Sequence, residues 1–529
     1  MNNKKLQVWF PLFFSLSMVV GMFLGYQLRD KMPAGSTMLK SNTGSQTQEV
    51  ISLIRNRYVD PVNADSLSEL AIEEVLTHLD PHSIYIPASK LTEVNEDLAG
   101  KFEGIGVEFN IFEDTVHVLN VLEGGPSEKA GLKVGDRIIK VEQETVAGNG
   151  ITSEKIRNLL RGQGGSKVGI TVKRENASVL FTITRGFIPL FSLDAAYMMD
   201  SITSYIRLNK FSESTYEEFM AALEKLKNKG MKKLILDLRD NGGGILDEAV
   251  EIADEFLDAE KLIVFTEGKN SPRREYKARR RGLFEEGELI LLMNEGSASA
   301  SEVLAGALQD WDRATIIGRR SFGKGLVQEQ YILGDGAALR LTVARYYTPL
   351  GRSIQKPYDK GVYDYNGEIL NRYQDGEMFS ADSSKTIHGA EFKTVNGKKV
   401  YGGGGITPDI FVAFDSTSID TLITALYRKN TIGRFVYRYY IQNQASFSSY
   451  KDAEMFARNY MISSSLYNEL VSFATKDSIN IGNLSTKDKQ FLEKRVKSLL
   501  ARQLWRTDGF YEVINASDSL VLKAEKTFH

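Results

Sequence analysis

Two segments of the chain repeat one design, an unbroken apolar run, a turn of small residues, and then a stretch with helical spacing. In the first, KKLILDLRD (Lys232 to Asp240) leads through Asn241-Gly242-Gly243-Gly244 into ILDEAVEIADEFL. In the second, ELILLMN (Glu288 to Asn294) leads through Glu295-Gly296-Ser297-Ala298-Ser299-Ala300-Ser301 into EVLAGALQDW. Apolar runs without polar alternation suit strands buried on both faces, so each segment predicts a strand, a loop and a helix of an α/β or α+β fold, extending from about Pro189 to Phe414. The two turns can face one another.

With 529 residues the chain has room for about three or four domains. Its 42% hydrophobic and 25% charged residues exclude general disorder and a multi-span membrane protein. A net charge of -2 gives no field that would attract nucleic acid, and zero cysteines remove thiol nucleophiles, cysteine zinc sites and disulfides together. From Val8 to Leu28 run 21 uncharged residues, VWFPLFFSLSMVVGMFLGYQL, flanked by Lys4 and Lys5 and by Arg29, Asp30 and Lys31. A helix of that length spans roughly 32 Å, and no small-x-small cleavage pattern closes it, so the expectation is one uncleaved N-terminal transmembrane helix followed by a polar tether. The two lysines and the amine hold that end in the cytoplasm, which puts the bulk of the chain outside.

Helical spacing recurs at Glu49 to Tyr58 and Ser66 to Leu79, the latter with an apolar stripe of Leu67, Leu70, Ala71, Val75 and Leu76. From about Gly100 to Arg185 follow short alternating strands, VEFNI, TVHVLNV, DRIIKVEQ, VGITVKR and VLFTITR, with one amphipathic helix at SEKIRNLLR. GIGVEF (Gly104 to Phe109) and GGPSEKAGLKVGDRIIKVEQ (Gly124 to Gln143) resemble a PDZ domain. Consecutive amides in a loop such as Gly104-Ile105-Gly106-Val107 can turn inward around a carboxylate, while the next strand offers its edge to an extended peptide. Beyond Phe414 the chain turns to helix formers and aromatics with no catalytic motif, and Asn515 to His529 reads as a final helix or loose tail.

Five histidines, His78, His82, His117, His388 and His529, give no context for a Ser-His-Asp triad, and no HExxH-type spacing points to a metal. Serine with lysine remains. A neutral lysine amine takes a serine proton once its pKa falls from about 10.4 toward neutrality, a change of roughly 4 kcal/mol that burial in apolar surroundings can supply. Lys324 in Ser321-Phe322-Gly323-Lys324-Gly325-Leu326-Val327-Gln328 has apolar neighbours, and Gln328 shares its face in either a helix or a strand. Each residue has an ordinary alternative: Ser297, Ser299 and Ser301 as helix N-caps, Lys324 as a solvated loop charge, and the basic run Arg273 to Arg281 as a solvated hairpin. A phosphate cradle at Gly242 to Gly244 is discounted because GxxxxGK[ST] and GxGxxG are both absent.

NEGSASASE, SFGKGLVQ, LDLRDNGGG, YYTPLGRSIQ, GGGITPDI and LDPHSIYI together resemble the carboxyl-terminal processing peptidases, serine endopeptidases with a PDZ domain inserted near the protease core. The resemblance covers about Gln48 to Phe414. It implies Ser299 as nucleophile, Lys324 as general base and Gln328 as its partner, with backbone oxyanion donors at Ala300 and at Gly242 or Gly243. It further implies peptide capture at Gly104, Ile105, Gly106 and Val107, and a reaction that needs no cofactor. The expected organisation is an α/β (α+β) multidomain chain: membrane anchor 1–31, tether and N-terminal helical part 32–98, PDZ domain 99–186, protease core with crotonase/ClpP-like strand-loop-helix units 187–414, and helical extension 415–529. Expected partners are envelope proteins with apolar C-terminal tails, the membrane through the N-terminal helix, and an adaptor or further copies of the chain through the extension, but not nucleic acid. The expected location is the cytoplasmic membrane with the catalytic domain facing the periplasm. The rivals are a catalytically silent PDZ scaffold and a crotonase-like acyl-transfer enzyme, the second of which leaves Lys324 without a use.

Overall fold

The structure, a computed structural model, describes residues 13–23, 46–381, 389–415 and 420–528. Of the predicted membrane span only residues 13–23 fall among them, as a helix with every side chain exposed; the rest of Val8 to Leu28 lies outside the described residues. Among the described residues no helix is long and apolar enough to cross a membrane. The chain forms two compact units, Met1–Glu74 and Val75–His529. The first holds α1 (Gln46–Arg57) and most of α2 (Ala64–Thr77), so both expected helices form. The stripe on α2 is not a core: Leu76 is buried, but Leu70 and Val75 are exposed.

The second unit begins with β1 (Ile84–Ile86) and α3 (Ala88–Ala99), then passes into the β-rich module through β2 (Lys101–Gly104). The module contains β3 (Val107–Phe112), β4 (Thr115–Val121), α4 (Pro126–Ala130), β5 (Arg137–Val141), β6 (Glu144–Thr145), α5 (Ser153–Leu160), β7 (Lys167–Arg174) and β8 (Ala177–Thr184). It leaves through β9 (Gly186–Pro189), which pairs antiparallel with β2. Period-2 alternation puts Val168, Ile170 and Val172 of β7 into a core with Val116, Val118, Ile138 and Ile183. Thr152 caps α5 by accepting from the Lys155 amide at 3.2 Å. The strand order β3-β4-β5-β7-β8 leaves β3 at an edge.

The α/β body comprises β10 (Leu193–Met198), β11 (Thr203–Leu208), α6 (Thr215–Asn228), β12 (Lys233–Asp237), α7 (Leu246–Asp254), β13 (Leu262–Glu267), β14 (Arg274–Lys277), β15 (Glu288–Met293), α8 (Ala300–Asp310), β16 (Thr315–Gly318), β17 (Leu326–Ile332), β18 (Ala338–Tyr347), α9 (Val362–Gln374), β19 (Glu391–Lys393), β20 (Lys399–Tyr401) and β21 (Ile410–Phe411). Its main sheet runs β10-β11-β12-β15-β16-β21, parallel from β11 onward. Because β12 and β15 are parallel neighbours, with Asp237 opposite Leu292, the two small-residue turns leave the sheet side by side at one edge. A second, antiparallel sheet carries β17 on β18.

The uninterrupted apolar runs have a direct cause. One face of the sheet, including Leu234, Leu236 and Leu291, packs on α6, α7 and α8. The other face, with Ile235, Ile290, Leu292 and Ile317, packs on Leu520, Val521 and Ala524 of the last helix. The extension is α10 (Thr421–Arg428), α11 (Thr431–Asn443), α12 (Ala453–Asn459), α13 (Ser464–Lys476), α14 (Thr486–Asn515) and α15 (Ser519–Thr527). Its own core is built on Phe435, Phe447, Phe456, Leu492 and Val496. Helix α14 breaks at Trp505 and Arg506, where Arg506 has φ 55° and ψ -142°. Before the break it packs in that core; after it, Asp508 Oδ1 accepts from the Ala196 amide of β10 at 2.9 Å. What sequence alone left as a final helix or loose tail is the cover of the main sheet.

Candidate active site

The turns after β12 and β15 are sewn together by their own polar side chains. Asn294 Oδ1 accepts from the Asp240 amide at 2.9 Å, and Asn294 Nδ2 donates to Asp240 Oδ1 at 2.7 Å. Ser297 Oγ donates to the Leu238 carbonyl at 2.7 Å and Ser301 Oγ to the Asn241 carbonyl at 2.9 Å. Two of the three candidate capping serines are therefore spent as braces. Ser299, between them, adopts φ 55° and ψ -115°, a conformation that costs a non-glycine residue on the order of 1–3 kcal/mol and recurs where a strand-to-helix turn presents a nucleophile.

The group that holds Ser299 in this turn is Glu302, three residues on and fully buried. Glu302 Oε2 accepts from the Ser299 amide and from the Lys324 amide, both at 2.8 Å. Glu302 Oε1 accepts from the Gly323 amide at 2.8 Å and from Ser321 Oγ. One carboxylate thus ties the serine turn to the lysine loop. Burial pushes its pKa up, and these four hydrogen bonds pull it back.

Lys324 Nζ donates to Gln328 Oε1 at 3.0 Å, as the shared-face argument anticipated, with Gln328 on β17 just after a register shift. Burial, and then the charge of Arg340, lower the Lys324 pKa against the pull of Glu302 and Asp80. Gln328 is itself fixed, because its Nε2 donates to the His82 carbonyl. His82 is held by its amide on Asp80 Oδ1 at 2.9 Å and by its ring, whose Nε2 lies 2.7 Å from the Tyr365 hydroxyl of α9. Burial, then Lys324, bring the His82 pKa down to about 4, so its ring is neutral at ordinary pH. Beneath the site the buried Tyr346 hydroxyl donates to the Lys324 carbonyl and also reaches the Ser299 side chain.

Gly243 faces Ser299 so closely that a Cβ there would lie 2.7 Å from Ser299 Cβ and 2.9 Å from the Ala300 amide, with φ at 94° besides. Its own amide donates to Asn241 Oδ1 at 2.9 Å. Among the described residues the Gly242 and Ala300 amides have no protein acceptor, which separates the two glycines that sequence could not: Gly242 keeps a free donor, and Gly243 provides the space. The strand carrying this loop ends in Asp237, buried beneath Tyr205, Arg207 and Arg239; burial opposes its ionisation, but Arg239 and Arg207 hold its pKa at about 2.

Gly104, Ile105, Gly106 and Val107 lie apart from this cluster, in the β-rich module. The Ile105 carbonyl accepts from the Ser127 amide at 3.0 Å and from its hydroxyl at 2.6 Å, and the Gly106 carbonyl accepts from the Leu122 amide at 3.0 Å. Those bonds fix the loop ahead of edge strand β3. Among the described residues no three His, Asp or Glu side chains are grouped to hold a metal ion.

Glu302, His82, Tyr346 and Tyr365 were not singled out by sequence. Glu302 had a signal, since Ser299-x-x-Glu302 is the capping-box spacing ahead of an apolar helix. The others had little: His82 serves through a carbonyl, which any residue carries.

Residues 202–363 match the model of peptidase family S41, residues 103–184 that of the PDZ domain, and residues 422–506 that of a family of unknown function. The chain is 35% identical over 346 residues to the carboxy-terminal-processing protease of Bartonella bacilliformis, covering 64% of this chain and 79% of that one. It is 33% identical over 337 residues to a probable CtpA-like serine protease of Staphylococcus haemolyticus, covering 63% of this chain and 66% of the other. Among solved structures, the photosystem II D1 C-terminal processing protease aligns at 26% identity over 71% of this chain and 89% of its own, with a TM-score of 0.36. The PDZ domain of the carboxy-terminal protease of Vibrio cholerae in complex with peptide aligns at 32% identity over 17% of this chain and 99% of its own, with a TM-score of 0.16.

Proposed function

The chain belongs to the carboxy-terminal-processing proteases of peptidase family S41, serine peptidases that carry a PDZ domain, and on that premise we propose that it cleaves proteins with a Ser299–Lys324 dyad. Ser299 Oγ attacks the scissile carbonyl while neutral Lys324 takes its proton and returns it to the leaving amine. Water then hydrolyses the acyl-enzyme with Lys324 again as base. The amides of Gly242 and Ala300 receive the oxyanion, a contribution of about 10²- to 10³-fold per donor. Gln328 aims the amine. The observation that carries this reading is the single Glu302 carboxylate clamping the Ser299 and Lys324 backbones.

The substrates are proteins whose apolar C-terminal tails add to edge strand β3, with the carboxylate at the Gly104 to Val107 loop. Trapping tests the dyad. A peptide boronate ending in the apolar sequence of a cleaved tail is expected to form a tetrahedral adduct at Ser299, and Ser299→Ala to lose both the adduct and the cleavage of a tail-bearing protein. Cleavage that survives Ser299→Ala overturns the reading, and tail binding without any cleavage by the intact chain favours the silent scaffold.

We further propose that Val8 to Leu28 anchors the enzyme in the cytoplasmic membrane with residues 32–529 outside, where the substrates are envelope proteins, and that the working division is 32–98, 99–186, 187–414 and 415–529. Support comes from the length and flanking charges of the apolar run. Replacing residues 1–31 with a cleavable secretory signal is expected to move the protein from the membrane fraction to the soluble periplasmic fraction; recovery in the membrane fraction as before removes the anchor.

A further inference from the structure

Two guanidinium groups, Arg207 and Arg239, converge on the single buried carboxylate of Asp237 at the end of β12. Asp237 Oδ2 accepts from Arg207 NH1 at 2.9 Å, from Arg239 NH2 at 2.6 Å and from the Tyr205 hydroxyl at 2.6 Å. Both arginine side chains are about nine-tenths removed from solvent, at 10% and 12% exposed, so one carboxylate leaves a buried positive charge to be met. For Arg207 the second anion is near: Asp194 Oδ2 lies 3.5 Å from its Nε, and Asp240 Oδ2 lies 3.6 Å from NH2. For Arg239 it comes from the far end of the chain, where NH1 donates to Asp518 Oδ2 at 2.8 Å.

Asp518 cannot easily move away. Its Oδ1 caps α15, accepting from the Leu520 and Val521 amides at 2.9 and 3.0 Å, and α15 is pinned to the sheet by Leu520, Val521 and Ala524. The preceding helix α14 reaches Arg207 as well, whose guanidinium lies over the Tyr511 ring at 4.9 Å. Arg239 stands three residues before Gly242, and Arg207 NH2 donates to its carbonyl at 2.9 Å. The backbone entering the Asp240 to Gly243 loop is therefore held from its side chain by Asp237 and Asp518 and from its carbonyl by Arg207.

We propose that Asp518, at the start of the last helix, is a positioning residue for the protease reaction, acting through Arg239 to hold the Gly242 amide where the oxyanion forms. The C-terminal extension thereby completes the catalytic site. This rests on the Ser299–Lys324 reading and on Gly242 as oxyanion donor. An amide displaced by about 1 Å costs on the order of 10²-fold in rate, which sets the scale of the effect.

Asp518→Ser keeps a capping oxygen but is too short to reach Arg239, and Asp518→Asn keeps shape and cap but not charge. In the full-length enzyme both are expected to lower kcat by about ten- to a hundredfold. They are expected to weaken binding of a tail-derived peptide aldehyde, whose adduct needs the oxyanion donors, by the same factor. KM for the tail substrate and binding of a free tail peptide by the PDZ module stay within about twofold. Leu492→Ala, which loosens the extension's own core away from α15 and Arg239, is expected to lower the unfolding temperature with kcat unchanged at low temperature. Wild-type kcat and aldehyde affinity in folded Asp518→Asn overturn the proposal, as does an equal kcat loss in Leu492→Ala. Activity persisting in Ser299→Ala instead overturns the reading beneath it, so the two failures are distinct.

Discussion

Lys324→Met is expected to lower kcat/KM for a tail-bearing substrate by roughly 10⁴- to 10⁶-fold, the scale on which removal of one member of a nucleophile–base unit acts. It is also expected to raise the temperature of unfolding near neutral pH. Both follow from the same burial. The Lys324 amine sits mostly out of water with Gln328 Oε1 as acceptor, and its pKa is lowered by that burial and by Arg340. Between the lowered folded value and the ordinary unfolded one, the unfolded chain binds the extra proton. Stability therefore rises with pH across that window, and folding at lower pH carries the cost of releasing the proton or burying the charge. Methionine fills similar space without that cost. In the wild-type enzyme kcat/KM is expected to rise with pH through the lowered Lys324 pKa, and Lys324→Arg to restore nothing, because a guanidinium stays protonated. A pH–rate profile alongside thermal melts checks all three. Activity in Lys324→Met within about tenfold of wild type would remove the lysine from the chemistry.

Glu302→Gln, nearly identical in shape, is expected to cost on the order of 3–5 kcal/mol of stability and about 10³-fold or more in kcat/KM. Four donors converge on the Glu302 carboxylate: the amides of Ser299, Gly323 and Lys324, and the hydroxyl of Ser321. An amide side chain offers one oxygen, and its NH₂ must then face either the Ser299 and Lys324 amides or the Gly323 amide and Ser321. Either orientation sets donor against donor in a fully buried place and releases one end of the clamp. Because Ser299 is held at φ 55°, loss of its amide partner lets the turn relax toward an ordinary helix start, away from the lysine loop. Denaturant titration and steady-state kinetics check this. Wild-type stability in Glu302→Gln would mean that the carboxylate is replaceable and the clamp is incidental.

How much of this was legible beforehand depended on how local each signal was. KKLILD and ELILLM announced strands buried on both faces, and they are; what covers the second face was not legible, because Leu520, Val521 and Ala524 form a stripe too short to distinguish from a loose tail. Ser299, Lys324 and Gln328 stood in recognisable motifs; their spacing put Lys324 and Gln328 on one face, but the hydrogen bond between them also depends on the bend of the chain into β17 and the register shift before Gln328. That the Gly243 amide is taken up by the Asn241 side chain was not legible either, because that bond depends on loop conformation. His82 acts through its carbonyl and Asp518 through an arginine 279 positions away, so neither residue type nor local spacing marks them. The stripe on α2 shows the opposite case, a periodicity that formed its helix while leaving Leu70 and Val75 in solvent.

The break in α14 ties the fate of the peptide-reading module to that of the catalytic body. Arg502, before the break, pairs with Glu108 of β3 at 2.9 Å; Arg506, at the break, donates to the Val121 carbonyl of β4 at 3.1 Å; and Asp508, after it, holds β10. A single helix is thus fitted to two partners at once, and its bend is fixed at the angle that satisfies both. Grafting in the PDZ domain of a relative without this extension would leave those arginines facing a foreign surface. The two parts are therefore bound to drift together in evolution, as lock and frame cut from one piece.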